Sequence, residues 1–272
     1  MKVSKATVVG SVFFVLSACG GNAAHSGEMM VAAAGAVQAP PSYLRLPAYY
    51  QKYIDASGIP IVSNATVDDA ALLKMQYIVN TMISKDASTR QQLLAHLRRV
   101  LIIPKNDGMT SLPEYATLDQ TNPIPGSTWN QRAQGVGWTD AIPYMSCSEA
   151  NLMHSGYPLD RYTDESICIH EFAHTVFDAG IVFRDADAQN RLTALYNADV
   201  SRGLLGSTYA GTNTREYWAE NVQAWFNAAS CGNPNNTPLC TQNALYQYDQ
   251  PLWNEIGHWF PSPYQLSAPL YP

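Results

Sequence analysis

The chain has 272 residues, enough for one large domain or two small ones, and 46% of them are apolar, so composition permits a packed core. Its formal charge is −6 and its pI about 5.4, with no block of basic residues, which argues against nucleic acid as a partner. The same balance leaves a peptide or protein partner open.

The chain starts with a targeting pattern. Lys2 and Lys5 make the start positive, and Ala6 to Leu16 is an apolar run of 11 residues (16 − 6 + 1), too short to span a bilayer. The run ends in Leu16-Ser17-Ala18-Cys19. This resembles the lipobox of bacterial lipoproteins, in which the chain is cut before the cysteine and the cysteine is lipidated. The resemblance implies a signal peptide over residues 1–18, a lipid on Cys19, export, and a membrane anchor on the bacterial cell envelope. Residue 20 is Gly rather than Asp, which favours the outer membrane in a cell that has one. An ordinary secretory signal cut near Ala18, leaving Cys19 an odd thiol, is the plainer alternative. Residues 19–42 are rich in Ala, Gly, Ser and Pro and read as a flexible tether to a domain spanning 43–272.

Residues 43–54 are aromatic and start that domain. Gly58-Ile59-Pro60-Ile61-Val62 reads as an extended segment ending in a turn. From residue 67 to about 84, Ala71, Leu72, Met75, Ile78, Val79 and Met82 recur at helical spacing, and residues 88–98 suggest a second, shorter helix. Val100-Leu101-Ile102-Ile103 reads as a strand stopped by Pro104. Residues 107–143 carry many Pro and Gly and form an irregular stretch, either a wall of a substrate cleft or a surface excursion. Of the remaining histidines, His154 reads as a loop residue satisfied by backbone, and His96 and His258 as structural.

His170-Glu171-Phe172-Ala173-His174 reads H-E-x-x-H within a helical pattern over residues 164–179. On a helix the two histidines stand one turn apart on one face, so both imidazoles can reach one zinc ion. Glu171 points beside them and can hold a water against the metal. Ile169, Phe172, Val176 and Phe177 take the opposite, core-facing side, and Gly180 reads as the C-cap. A further helix is expected over 187–199, with Ala188, Leu192, Leu195 and Tyr196 inward.

A catalytic zinc usually takes three protein ligands and leaves one position open. The stretch from Tyr209 leads into a helix running to about residue 229, with Glu216, Glu220, Gln223 and Asn227 on one face and Trp218, Val222, Trp225 and Phe226 on the other. Glu216 and Glu220 are one turn apart, and spacing alone does not choose between them as the third ligand. Glu216 also stands three residues after Asn213, as in a capping box.

Tyr209, then Glu216 seven residues on (216 − 209) within Glu216-Tyr217-Trp218-Ala219-Glu220, together with His170-Glu171-Phe172-Ala173-His174, resembles the active-site segments of gluzincin-type zinc metallopeptidases, closest to anthrax lethal factor and the Pro-Pro endopeptidases. The resemblance covers roughly residues 160–230. It implies that His170, His174 and Glu216 bind Zn²⁺, that Glu171 and Tyr209 are catalytic, and that Glu220 supports a zinc histidine. Trp218 stands where the family usually has Phe, and residues 221–226 continue the helix differently from the toxin, which bears on substrate more than on chemistry.

Without Cys19, four cysteines remain, an even number that suggests disulfides in an exported chain. Cys231 and Cys240 flank a Gly/Asn/Pro-rich loop and are expected to pair, which leaves Cys147 with Cys168. No pair has C-x-x-C spacing, so a cysteine metal site is not expected. The fold expected is α+β, a zincin-like metallopeptidase domain with the zinc helix and the Glu-bearing helix beside a small mixed sheet. The expected function is a zinc-dependent endopeptidase acting on a peptide or protein, with the peptide lying extended at a sheet edge. The alternative from another class is an envelope or surface binding lipoprotein with a structural or vestigial zinc site, although a structural site needs no base such as Glu171.

Overall fold

A computed structural model describes residues 35–154, 156–231 and 239–271. Cys19, the targeting pattern and most of the tether lie outside the described residues. Five strands form one mixed sheet: β1 (Lys52–Ala56), β2 (Ile59–Ser63), β3 (Arg99–Ile103), β4 (Gly135–Val136) and β5 (Tyr144–Ser148), in the spatial order β1-β2-β3-β5-β4. The first two make an antiparallel hairpin whose turn residues Ser57 and Gly58 both have positive φ, the twist that suits a two-residue hairpin loop. β3 runs parallel to β2 and to β5, and β4 closes the row as a short antiparallel edge.

Between β2 and β3 the chain forms α1 (Asp69–Met82) and α2 (Ala87–His96), near the bounds their periodicity predicts. The Asp86 side chain caps α2 by accepting from the N–H groups of Ser88 and Thr89. β3 lies at the centre of the sheet, and its unbroken apolar run follows from burial on both faces. Val100 and Ile102 enter the large core made by the helices, whereas Leu101 and Ile103 enter a second core with Met109, Leu112, Tyr115 and Leu118. Part of the irregular stretch is therefore a covering layer for the far face of the sheet. It carries two single helical turns, α3 (Leu118–Thr121) and α4 (Trp129–Arg132), the latter with a capping box between Thr128 and Gln131.

β5 and the short α5 (Glu149–Met153), which precede the motif helix, have no counterpart among the expected elements. The motif helix α6 spans Ile167–Val176, and the Ser166 side chain caps it by accepting from the Ile169 N–H. Gly180 does not cap it. The helix continues through a π-helical turn, Phe177–Ile181, into α7 (Val182–Arg184). A Cβ on Gly180 would lie 2.9 Å from Thr89 Cγ2 and 3.2 Å from Leu93 Cγ, so the glycine lets α2 pack against this turn. α8 (Ala188–Ser201) follows as expected, with Ala188 and Leu192 buried and Leu195 and Tyr196 against the core.

α9 spans Thr214–Trp225, ending four residues before the expected 229. Asn227 stands just past its end with φ 56°, a left-handed residue of the kind that stops helices. Its side chain accepts from the Gln242 N–H, at the start of α10 (Gln242–Tyr248), and α11 (Gln250–Trp259) completes the helical layer. Both expected disulfides are present, Cys147–Cys168 and Cys231–Cys240. The first ties β5 to α6 two residues before His170. Among the described residues no helix is long and apolar enough to cross a membrane.

Candidate metal centre

Two helices build the site, and local chemistry sets where each begins. Asn213 caps α9 by accepting from the N–H groups of Arg215 and Glu216, which places Glu216 in the first turn. The Glu216 carboxylate points not back at the cap but at the histidines of α6. Trp218, fully buried, donates from its indole N–H to the Ala173 carbonyl at 3.0 Å and fixes α9 against α6 midway along the motif.

His170 Nε2 lies 3.1 Å from His174 Nε2 and 3.1 Å from Glu216 Oε2, and His174 Nε2 lies 3.3 Å from the same oxygen. A tetrahedral ion with bonds of about 2.0–2.1 Å holds its ligand atoms about 3.3 Å apart, so this triangle of donors can hold a metal ion. The N, N, O set is one that zinc accepts. Spacing left Glu216 and Glu220 equivalent; the geometry puts Glu216 at the Nε2 side and Glu220 at the back of the ring, 3.3 Å from His170 Nδ1. A residue that sequence reasoning did not single out lies closer: Gln223 Oε1 is 2.9 Å from that nitrogen.

Burial opposes a charge on His170, but Glu216 and Glu220 outweigh it and hold the imidazole well above its ordinary pKa. Glu171 is shifted up, first by burial and against the pull of the two histidines, and the Gly137 N–H donates to it. A carboxylate raised in this way is a stronger base than an ordinary one. Tyr209 sits on a 3₁₀ turn, Tyr209–Gly211, just before α9, with its ring 6.3 Å from that of His170. Burial, and then the Glu216 charge, push its phenol up to about 12, so it keeps its proton and can donate. Beside His174, Asp178 accepts from Arg215 at 3.0 Å; burial raises its carboxyl while Arg215 pulls it down.

A cleft of about 820 Å³ opens over these residues. The later part of the irregular stretch forms one wall, with Trp129, Val136 and Trp138, and Tyr162, Ile167 and Tyr209 also line it. The edge strand β4 lies directly against α6. A Cβ on Gly135 would fall 3.0 Å from Glu171 Cγ, and one on Gly137 would fall 2.7 Å from His174 Cβ, so only glycine permits this approach. The strand over residues 100–103, offered from sequence as part of the sheet, is its centre and not its edge.

His154 stays outside the site. It ends α5 with φ 45°, its ring meets Tyr271 edge-on at 4.5 Å, and burial lowers its pKa to about 4. The backbone partner expected for it is absent at Nδ1, which has no hydrogen bond among the described residues. His96 is structural as expected, its Nδ1 near the carbonyls of Gln92 and Ala179 and its ring stacked on Phe183.

No family model and no curated protein matches the sequence. Among solved structures, the fold is similar to that of a Pro-Pro endopeptidase from Paenibacillus alvei, at 16% identity and a TM-score of 0.48, covering 71% of this chain and 92% of that one. At that level of similarity, any functional reading of this chain rests on the geometry of the site.

Proposed function

We propose that the protein is a zinc-dependent endopeptidase, exported and held at the cell envelope by a lipid on Cys19. The observation that supports it best is the conjunction of three ligand atoms 3.1–3.3 Å apart with the Glu171 carboxylate beside them, at the floor of an open cleft. A site that only held a metal for structure would close around it and would need no base. When bound, the zinc ion supplies Lewis-acid activation of water and of the scissile carbonyl.

The chain's own residues do the rest. His170, His174 and Glu216 hold the ion. Glu171 takes the proton of the attacking water and delivers it to the leaving amine, a transfer its raised pKa favours. The Tyr209 phenol donates to the oxygen that gains charge as the carbonyl is attacked, an interaction stronger in the transition state than in the bound substrate. The free side of β4 pairs with an extended peptide backbone, and the cleft's aromatic walls receive its side chains.

The test is a peptide-library digest with zinc-loaded wild type beside Glu171→Gln. Wild type should cleave, and the variant should keep its zinc and lose most turnover. Near-normal cleavage by Glu171→Gln, or no cleavage by zinc-loaded wild type across the library, contradicts the proposal, and the second result favours a binding lipoprotein.

A further inference from the structure

A histidine that binds a metal through Nε2 must keep its proton on Nδ1, and something must hold that proton. Two acceptors face His170 Nδ1, both from α9: Gln223 Oε1 at 2.9 Å and Glu220 Oε1 at 3.3 Å. Gln223 is fully buried. Its amide nitrogen lies 3.1 Å from the Ser166 carbonyl and 3.4 Å from Glu165 Oε2. The Ser166 carbonyl can only accept, so the nitrogen belongs at that end and the oxygen at the histidine. Ser166 is also the residue that caps α6. One amide therefore joins the start of the motif helix to the ring of its first histidine. Glu220 is held less firmly: it is buried, but its Oε2 has no hydrogen-bond partner among the described residues.

We propose that Gln223, rather than Glu220, is the positioning residue for His170, its anchored amide oxygen holding the imidazole proton on Nδ1 and aiming Nε2 at the metal. The inference rests on the metal-site reading above. A neutral acceptor suits this position. Glu171, Glu216 and Glu220 already crowd the site with carboxylates, and Gln223 fixes the tautomer without adding charge. The residue lies seven positions after Glu216, two turns along the same face, so α9 presents the ligand and its support together.

The experiment uses the full chain, wild type beside Gln223→Leu, Gln223→Glu and Glu220→Gln. It reads zinc affinity by chelator competition and the His170 ring nitrogens by ¹⁵N NMR of the zinc-loaded protein. Gln223→Leu should weaken zinc binding about 10- to 100-fold and change the Nδ1–H signal. Gln223→Glu keeps an acceptor at Nδ1 but loses the N–H donated to Ser166 and adds a charge, so it should recover part of the affinity lost in Gln223→Leu, a rescue that lost packing alone would not produce. Glu220→Gln should change affinity by less than about threefold. The inference is overturned if Glu220→Gln costs tenfold or more while Gln223→Leu costs little, or if Gln223→Glu binds no better than Gln223→Leu. A wild type that takes up no zinc overturns the metal site itself. A wild type whose zinc affinity is indifferent to position 223 overturns this inference alone.

Discussion

Replacing Gly137 with alanine tests whether the close approach of the sheet edge to the motif helix matters for turnover. Gly137 does not have a left-handed φ, so the cost of a side chain there is spatial. The new Cβ would lie 2.7 Å from His174 Cβ and 3.2 Å from the Glu171 carbonyl, where ordinary contact begins at 3.4 Å. Residue 137 and the helix must therefore part, by 0.7 Å (3.4 − 2.7) to reach ordinary contact, and neither neighbour is the free end of a flexible side chain. The helix cannot easily yield, because Cys147–Cys168 ties it to β5 and Trp218 ties it to α9. The shift falls on Gly137 and Trp138, whose N–H groups now reach Glu171 and Thr175. Overpacking of this kind costs about 1–3 kcal/mol of stability. A misplacement approaching 1 Å between bound substrate and general base costs up to about 100-fold in rate. We expect kcat/KM on a fluorogenic peptide to fall about 10- to 100-fold, with zinc content unchanged because all three ligands sit on α6 and α9. Turnover within twofold of wild type, at full zinc content, would refute the idea that substrate is held along this edge.

Two other perturbations have clear expected outcomes. Tyr209→Phe should lower kcat about 100- to 1,000-fold with KM and zinc content little changed, as loss of one oxyanion donor does; a kcat within threefold of wild type removes Tyr209 from the mechanism. Away from the site, the Tyr217 hydroxyl lies 2.8 Å from carboxylate oxygens of both Asp199 and Asp249. Burial, and then the Asp249 carboxyl beside it, push Asp199 from 3.8 up to about 7. The fold thus favours its protonated form, so its contribution is complete below pH 3.8 and is lost as pH rises through about 7. With screening allowed for, the loss is on the order of 1 kcal/mol. Thermal unfolding of Asp199→Asn, which mimics the protonated acid, should decline less over that range than wild type, and parallel curves would show that Asp199 does not titrate there.

The site was more legible in the sequence than the sheet that carries it. His170, Glu171 and His174 announce themselves because one helical turn fixes their relation whatever surrounds them. Spacing alone leaves the third ligand open; the resemblance points to Glu216, and the geometry agrees with it. Glu216 and Glu220 share a face, and only the Asn213 cap and the docking of Trp218 on Ala173 decide which of them meets Nε2. Gln223 reads as one more polar residue on that face until its amide is seen between Ser166 and His170. β5 was missed because after Tyr144 it reads Met145-Ser146-Cys147-Ser148, which lacks the β-branched and aromatic residues that mark strands. It is buried by its neighbours on both sides rather than by its own composition. β4 has two residues and leaves no periodicity to find. Gly180 looked like a helix stop because glycine commonly ends helices, but here it serves a close helix contact.

Metal content tests the three-ligand site most directly. Plasma mass spectrometry on a chain of residues 20–272, wild type beside Glu216→Ala, should find about one zinc per wild-type chain and almost none in the variant, with Glu220→Ala retaining far more. No zinc in the wild type after reconstitution, or zinc undiminished in Glu216→Ala, would contradict it.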